Sequence, residues 1–89
     1  MDPEIQVIVE ALATYVLVNP HACDTPDGIE RWWLPDRSHL TQDLHIALEW
    51  MVRNGYLQTT TAADGRTRYR RRASDGAMKA CLDEIRRRN

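Results

Sequence analysis

Eighty-nine residues leave room for one small domain with a modest core. Hydrophobic residues make up 43% of the chain and charged residues 28%, as in ordinary globular proteins, and no apolar run approaches the roughly 20 residues of a membrane span. The net charge of −1 conceals an asymmetry: residues 1–50 carry nine acids against Arg31 and Arg37, whereas residues 51–89 carry ten bases against four acids. The start MDPE has no basic n-region, so an unprocessed, cytoplasmic chain is expected, with no membrane partner. Cys23 and Cys81 lie far apart and are expected to be free, mostly buried thiols. Phenylalanine is absent, which leaves the core to aliphatics, tyrosines, Trp32, Trp33 and Trp50.

A first helix is predicted over about residues 4–19. Ile5, Ile8, Leu12, Tyr15 and Val16 fall on one side of it and Val7, Ala11 and Val18 on another, an apolar surface wide enough for a central position in the core. Asp2-Pro3 starts it and Asn19-Pro20 stops it. A second, short helix is predicted over about 25–34, with Thr25 as the capping hydroxyl, Pro26 at the first helical position and Asp27 near the positive dipole end. Pro35 stops it, and Ile29, Trp32 and Trp33 form its apolar face. The two tryptophans are about 100° apart on a helix, so either one fills the core and the other lies at the edge, or both are largely buried because the core lacks phenylalanine.

The third helix, about 39–54, follows a short PDRS turn. Leu40, Leu44, Ala47, Leu48, Met51 and Val52 form its stripe, Trp50 falls at the boundary, and Asn54-Gly55 supplies the left-handed stop. Its opposite face carries Gln42, His45, Ile46, Glu49 and Arg53. Residues 56–72, YLQTTTAADGRTRYRRR, read as a β-hairpin. A three-residue turn over Ala63-Asp64-Gly65, with Gly65 as the bulge, puts Leu57, Thr59 and Tyr69 on one core-facing side, and Arg68, Arg70 and Arg72 then point to solvent together. Arg71 lies along the sheet beside Leu57. A last helix, about 74–88, is capped by Ser74 and striped by Met78, Cys81, Leu82 and Ile85, with Arg86–Arg88 at its negative end.

His21, Cys23 and Asp24 crowd together, with His39 and His45 later, but no paired ligand spacing such as C-x₂-C or H-E-x-x-H occurs, so neither metal nor cofactor is expected. His21 is expected on the inter-helix loop, with Cys23 and Asp24 seating the start of the second helix. Cys23 stands before a helix start, yet its surroundings are acidic and no base is placed by motif. With no glycine-rich phosphate loop or serine elbow either, the expectation is a protein that is not an enzyme.

The stretch LTQDLHIALEWMVRNGYLQTTTAADGRTRYRRR, residues 40–72, resembles the winged helix-turn-helix superfamily in its helix ending ALEWMVRNGYL and its wing DGRTRYR. The pattern covers about residues 4–85. The resemblance implies a mainly α, α+β single domain over residues 1–89, in the order helix–helix–helix–β-hairpin wing–helix. It also implies DNA binding, with the third helix in the major groove and the wing on an adjacent groove or the backbone. On that reading Arg66, Arg68, Arg70 and Arg72 grip phosphates while Gln42, His45 and Arg53 face the groove, as in a small transcriptional regulator. The alternative is a protein-interaction adaptor whose contact face is Ile46, Glu49, Trp50 and Trp33, since Asp43 and Glu49 make the third helix slightly negative. A homodimer through residues 74–88 is compatible with either.

Overall fold

The computed structural model describes residues 1–34 and 40–88. The described residues fold as four helices with a three-stranded antiparallel sheet: α1 (Pro3–Val18), β1 (Cys23–Asp24), a short α2 (Pro26–Gly28) that widens into a π-helical turn (Ile29–Trp33), α3 (Thr41–Arg53), β2 (Leu57–Thr61), β3 (Thr67–Arg71) and α4 (Asp75–Arg88). The predicted Pro35 stop, the PDRS turn and His39 lie outside the described residues. Among the described residues no helix is long and apolar enough to cross a membrane.

Helix ends follow local chemistry. The Asp2 carboxylate accepts the Glu4 N–H at 2.9 Å with Pro3 at the first helical position, and Asn19 closes α1 by donating its backbone N–H to the Tyr15 carbonyl at 2.8 Å. At the end of α3, Gly55 takes φ +80°, Tyr56 N–H reaches the Met51 carbonyl at 2.9 Å, and Gly55 N–H reaches that of Val52 at 3.1 Å. Those two bonds satisfy carbonyls that the last helical turn leaves open. Ser74 Oγ accepts the Ala77 N–H at 3.2 Å and starts α4.

α1 packs against both α3 and α4. Ile8, Val9, Leu12 and Val16 of α1 meet Leu44, Leu48 and Met51 of α3 and Met78, Cys81, Leu82 and Ile85 of α4 in one buried cluster. The α4 stripe is thus covered within the chain rather than left open for a second copy. The second apolar side of α1 is not covered, because Val7 and Val18 are exposed and only Ala11 is half-buried. Leu40 also departs from expectation: it occupies the N-cap position of α3, outside the helical stripe, and is exposed. Cys81 is buried as expected, but Cys23 is exposed.

The hairpin takes the three-residue turn. Leu57 stands opposite Arg71, Thr59 opposite Tyr69 and Thr61 opposite Thr67. Ala62 N–H bonds the Arg66 carbonyl at 3.1 Å, Gly65 N–H bonds that of Ala62 at 2.9 Å, and Gly65 sits at φ +80°. A Cβ at Gly65 would meet nothing within 4 Å, so a side chain there is opposed by backbone conformation alone. Gly65→Ala is expected to lose about 1–2 kcal/mol in urea unfolding with an unchanged m-value, and Gly65→Asn less, since asparagine tolerates the left-handed region.

The sheet holds one strand that the sequence reading did not anticipate. Cys23 pairs with Arg70 and Asp24 with Tyr69, giving the order β1-β3-β2. Cys23 and Asp24 therefore brace the hairpin instead of only seating α2.

Candidate nucleic-acid interface

The outer face of α3 presents Gln42, His45, Ile46, Glu49 and Arg53, all exposed. Arg53 Nη2 pairs with Glu49 Oε1 at 2.8 Å on the open surface, so two of the three formal charges on α3, those besides Asp43, cancel locally. The pair itself stabilises little, because water screens both partners.

The hairpin distributes its arginines by strand alternation. Arg68 and Arg70 stand on the face away from the core, beside Thr60, Gln58 and Cys23 in the cross-strand rows. Arg66, Arg70 and Arg72 are exposed, and Arg68 is half-buried with its Nη2 at 3.5 Å from Asp64 Oδ2. Arg71 faces inward instead. Its Nη1 donates to the Val16 carbonyl at the end of α1 at 3.3 Å and pairs with Asp75 at 2.6 Å, joining α1, β3 and α4. Asp64 steadies the turn: its Oδ1 accepts the Arg66 N–H at 3.0 Å. That bond above all, with help from the Arg68 guanidinium, holds the Asp64 carboxyl below its usual range.

An open groove of about 390 Å³ joins helix to hairpin, lined by Thr25, Pro26, Asp27, His45, Arg66 and Thr67. It brings together two residues singled out from sequence, His45 and Arg66. Arg53 does not line it, being at the far end of α3 beside Glu49, nor does Gln42. Thr25, Asp27 and Thr67 join the groove unforeseen, because β1–β3 pairing carries the start of α2 to the hairpin and two residues of strand leave no periodicity to read.

The proposed contact face around Ile46 and Trp50 is smaller than its residue list. Ile46 is 41% exposed, but Trp50 is half-buried and stacked on Tyr56 with ring centroids 5.8 Å apart. Trp33 does not belong to that face. It is 2% exposed, stacked on Tyr15 at 5.2 Å, and its Nε1–H donates to Asp24 Oδ2 at 2.6 Å. Trp32 is the exposed member of the pair, at 66%. On an α-helix, Trp32 and Trp33 flank the direction of Ile29, about 60° to one side and about 40° to the other. The π turn takes more residues per revolution, so both rotate backward. Trp33 stays near Ile29 and enters the core, while Trp32 swings out to solvent.

Other chemistry is sparse. Among the described residues no group of three or more His, Cys, Asp or Glu side chains is placed to hold a metal ion. Cys23 and His21 are exposed, and Asp24 is committed to Trp33. Burial pushes the Cys81 thiol up from its ordinary value, so it is no activated nucleophile. No family model matches this chain, and no curated protein or solved structure matches it either.

Proposed function

We propose that this chain is a small winged-helix DNA-binding protein acting as a cytoplasmic transcriptional regulator. The observation that carries the reading is the groove where Arg66 of the hairpin meets His45 of α3, continued by exposed Arg70 and Arg72. Three helical segments followed by an arginine-bearing hairpin support it. In this arrangement Arg66, Arg68, Arg70 and Arg72 hold phosphates, and Gln42, His45 and Arg53 face the bases. Arg53 must leave Glu49 to do so, an exchange of one exposed pair for another.

The test is a fluorescence-anisotropy titration of random-sequence duplex at 50 and 200 mM salt. Four phosphate contacts give a slope of about −3.6 in log K against log salt, hence an affinity loss of about 10²-fold across that range. Duplex binding that is absent at 50 mM salt overturns the reading.

Exposed Ile46, beside a neutralised Glu49–Arg53 pair, favours the adaptor as the second reading. There Ile46→Asp abolishes association with a protein partner while DNA binding stays negligible. An association that survives this substitution removes the adaptor reading.

A further inference from the structure

A second groove lies away from the arginine surface, between α1, the C-terminal end of α3 and α4. It measures about 180 Å³ and is lined by Gln6, Trp50, Asn54, Tyr56, Cys81, Glu84 and Ile85, together with Met1. Among the described residues Gln6 is the one buried polar residue, at 7% exposure, and its side-chain amide has no hydrogen-bond partner there. Two of the polar residues around it are otherwise engaged. Asn54 Nδ2 donates to the Trp50 carbonyl at 2.8 Å, and Glu84 has Arg87 at 3.9 Å. A buried amide left without partners is costly and uncommon in folded proteins, and here it opens into a cavity with an aromatic wall.

We propose that this cavity is a binding site for a small uncharged planar ligand, a single ring bearing an amide or lactam edge. Size, wall and polar group each select it. A cavity of about 150 Å³ accepts one benzene ring, so a volume near 180 Å³ fits one ring with a small substituent. The Trp50–Tyr56 stack and Ile85 supply a flat apolar wall for it. The Gln6 amide offers a donor and an acceptor side by side, which a carboxamide or lactam edge answers together. Among the described residues the lining carries the Glu84 carboxylate and Met1, the N-terminal residue, so neither sign of charge dominates it and the Gln6 amide is the group that selects an uncharged partner. The site does not depend on the DNA reading, and its test involves no nucleic acid.

Nicotinamide and uracil are the test ligands, with toluene lacking the amide and benzoate carrying a carboxylate in its place. Binding is followed on the full chain by NMR, through the Trp50 indole N–H and the Gln6 side-chain amide. A ligand of eight or nine non-hydrogen atoms should bind with Kd of roughly 0.1–1 mM. Saturable shifts at both groups with either amide ligand are expected, and weaker or no shifts with the controls. Gln6→Leu keeps the packing and removes the polar group. It should weaken nicotinamide or uracil at least about tenfold while melting at the same temperature as the wild type or higher. No saturable shift up to 10-fold above that Kd range overturns the proposal. So does toluene binding as well as the amides with Gln6→Leu unaffected, which would make the space a simple apolar gap.

Discussion

Replacing Arg66, Arg68, Arg70 and Arg72 together by alanine is expected to weaken duplex DNA binding roughly 10²–10³-fold at 0.1 M salt. The slope of log K against log salt should flatten by about 3.6, since each phosphate contact contributes about 0.9 through released counterions. The four guanidiniums are not equivalent. Arg68 gives up Asp64 at 3.5 Å to reach a phosphate, whereas Arg66, Arg70 and Arg72 are exposed. Arg68→Ala alone should therefore cost least of the four, and lysine at all four positions should preserve most of the slope, because a phosphate grip needs charge more than geometry. Arg71→Ala is the internal control. Its Nη1 bonds the Val16 carbonyl and Asp75, so its loss should lower stability by about 1–2 kcal/mol and leave the slope unchanged. Anisotropy at several salt concentrations, paired with thermal melts, separates the two effects. A quadruple variant that binds like the wild type would remove the hairpin from any DNA interface.

The helices and the hairpin register were legible in the residues because each carries a repeated signal. The α3 stripe repeats at Leu44, Ala47, Leu48 and Met51, and all four are fully buried. The α4 stripe and the Asn54-Gly55 stop behave likewise. For the hairpin, one glycine in the left-handed region decided the turn length, and turn length decides which side chains face the core. The features that escaped are those set by one contact rather than a pattern. β1 is two residues long, too short to show alternation, and its existence depends on Arg70 and Tyr69 lying some 45 residues downstream. Leu40 and Leu44 are one helical turn apart and look equivalent in sequence, yet the helix starts at Thr41 and leaves Leu40 outside. Val7 and Val18 fit a second apolar face of α1 that no described element covers. Of the interface, the arginines and the outer face of α3 could be listed from sequence. That His45 and Arg66 share one groove with Thr25 and Asp27 could not, because the pairing of β1 with β3 creates it.

Trp33→Ala is expected to destabilise the protein by about 3–5 kcal/mol, while Trp32→Ala changes stability by less than about 0.5 kcal/mol. Adjacent, identical residues thus give a sharp contrast. Trp33 is 2% exposed and stacks on Tyr15, so truncation leaves a cavity between α1 and the π turn that the surrounding helices cannot close. In a domain of this size total stability is about 5–15 kcal/mol, and each kilocalorie shifts Tm by about 4–8 °C. The alanine variant should melt at least about 12 °C lower, or be unfolded at room temperature. Trp33→Phe resolves the two contributions. Phenylalanine keeps the ring stacked on Tyr15 but removes the Nε1–H that Asp24 accepts at 2.6 Å, leaving a half-buried carboxylate unanswered. Its cost should be about 1–3 kcal/mol and should shrink once Asp24 is also replaced by alanine, which is the mark of direct coupling. Asp24 stands opposite Tyr69 in the sheet, so the same bond ties the π turn to the strand carrying Arg68 and Arg70. Loss of the Trp33–Asp24 bond should therefore expose the β3 amides to faster hydrogen exchange at temperatures where α3 and α4 remain protected. Should Trp32→Ala prove the more damaging substitution, the π turn and the burial it assigns to Trp33 would both be wrong.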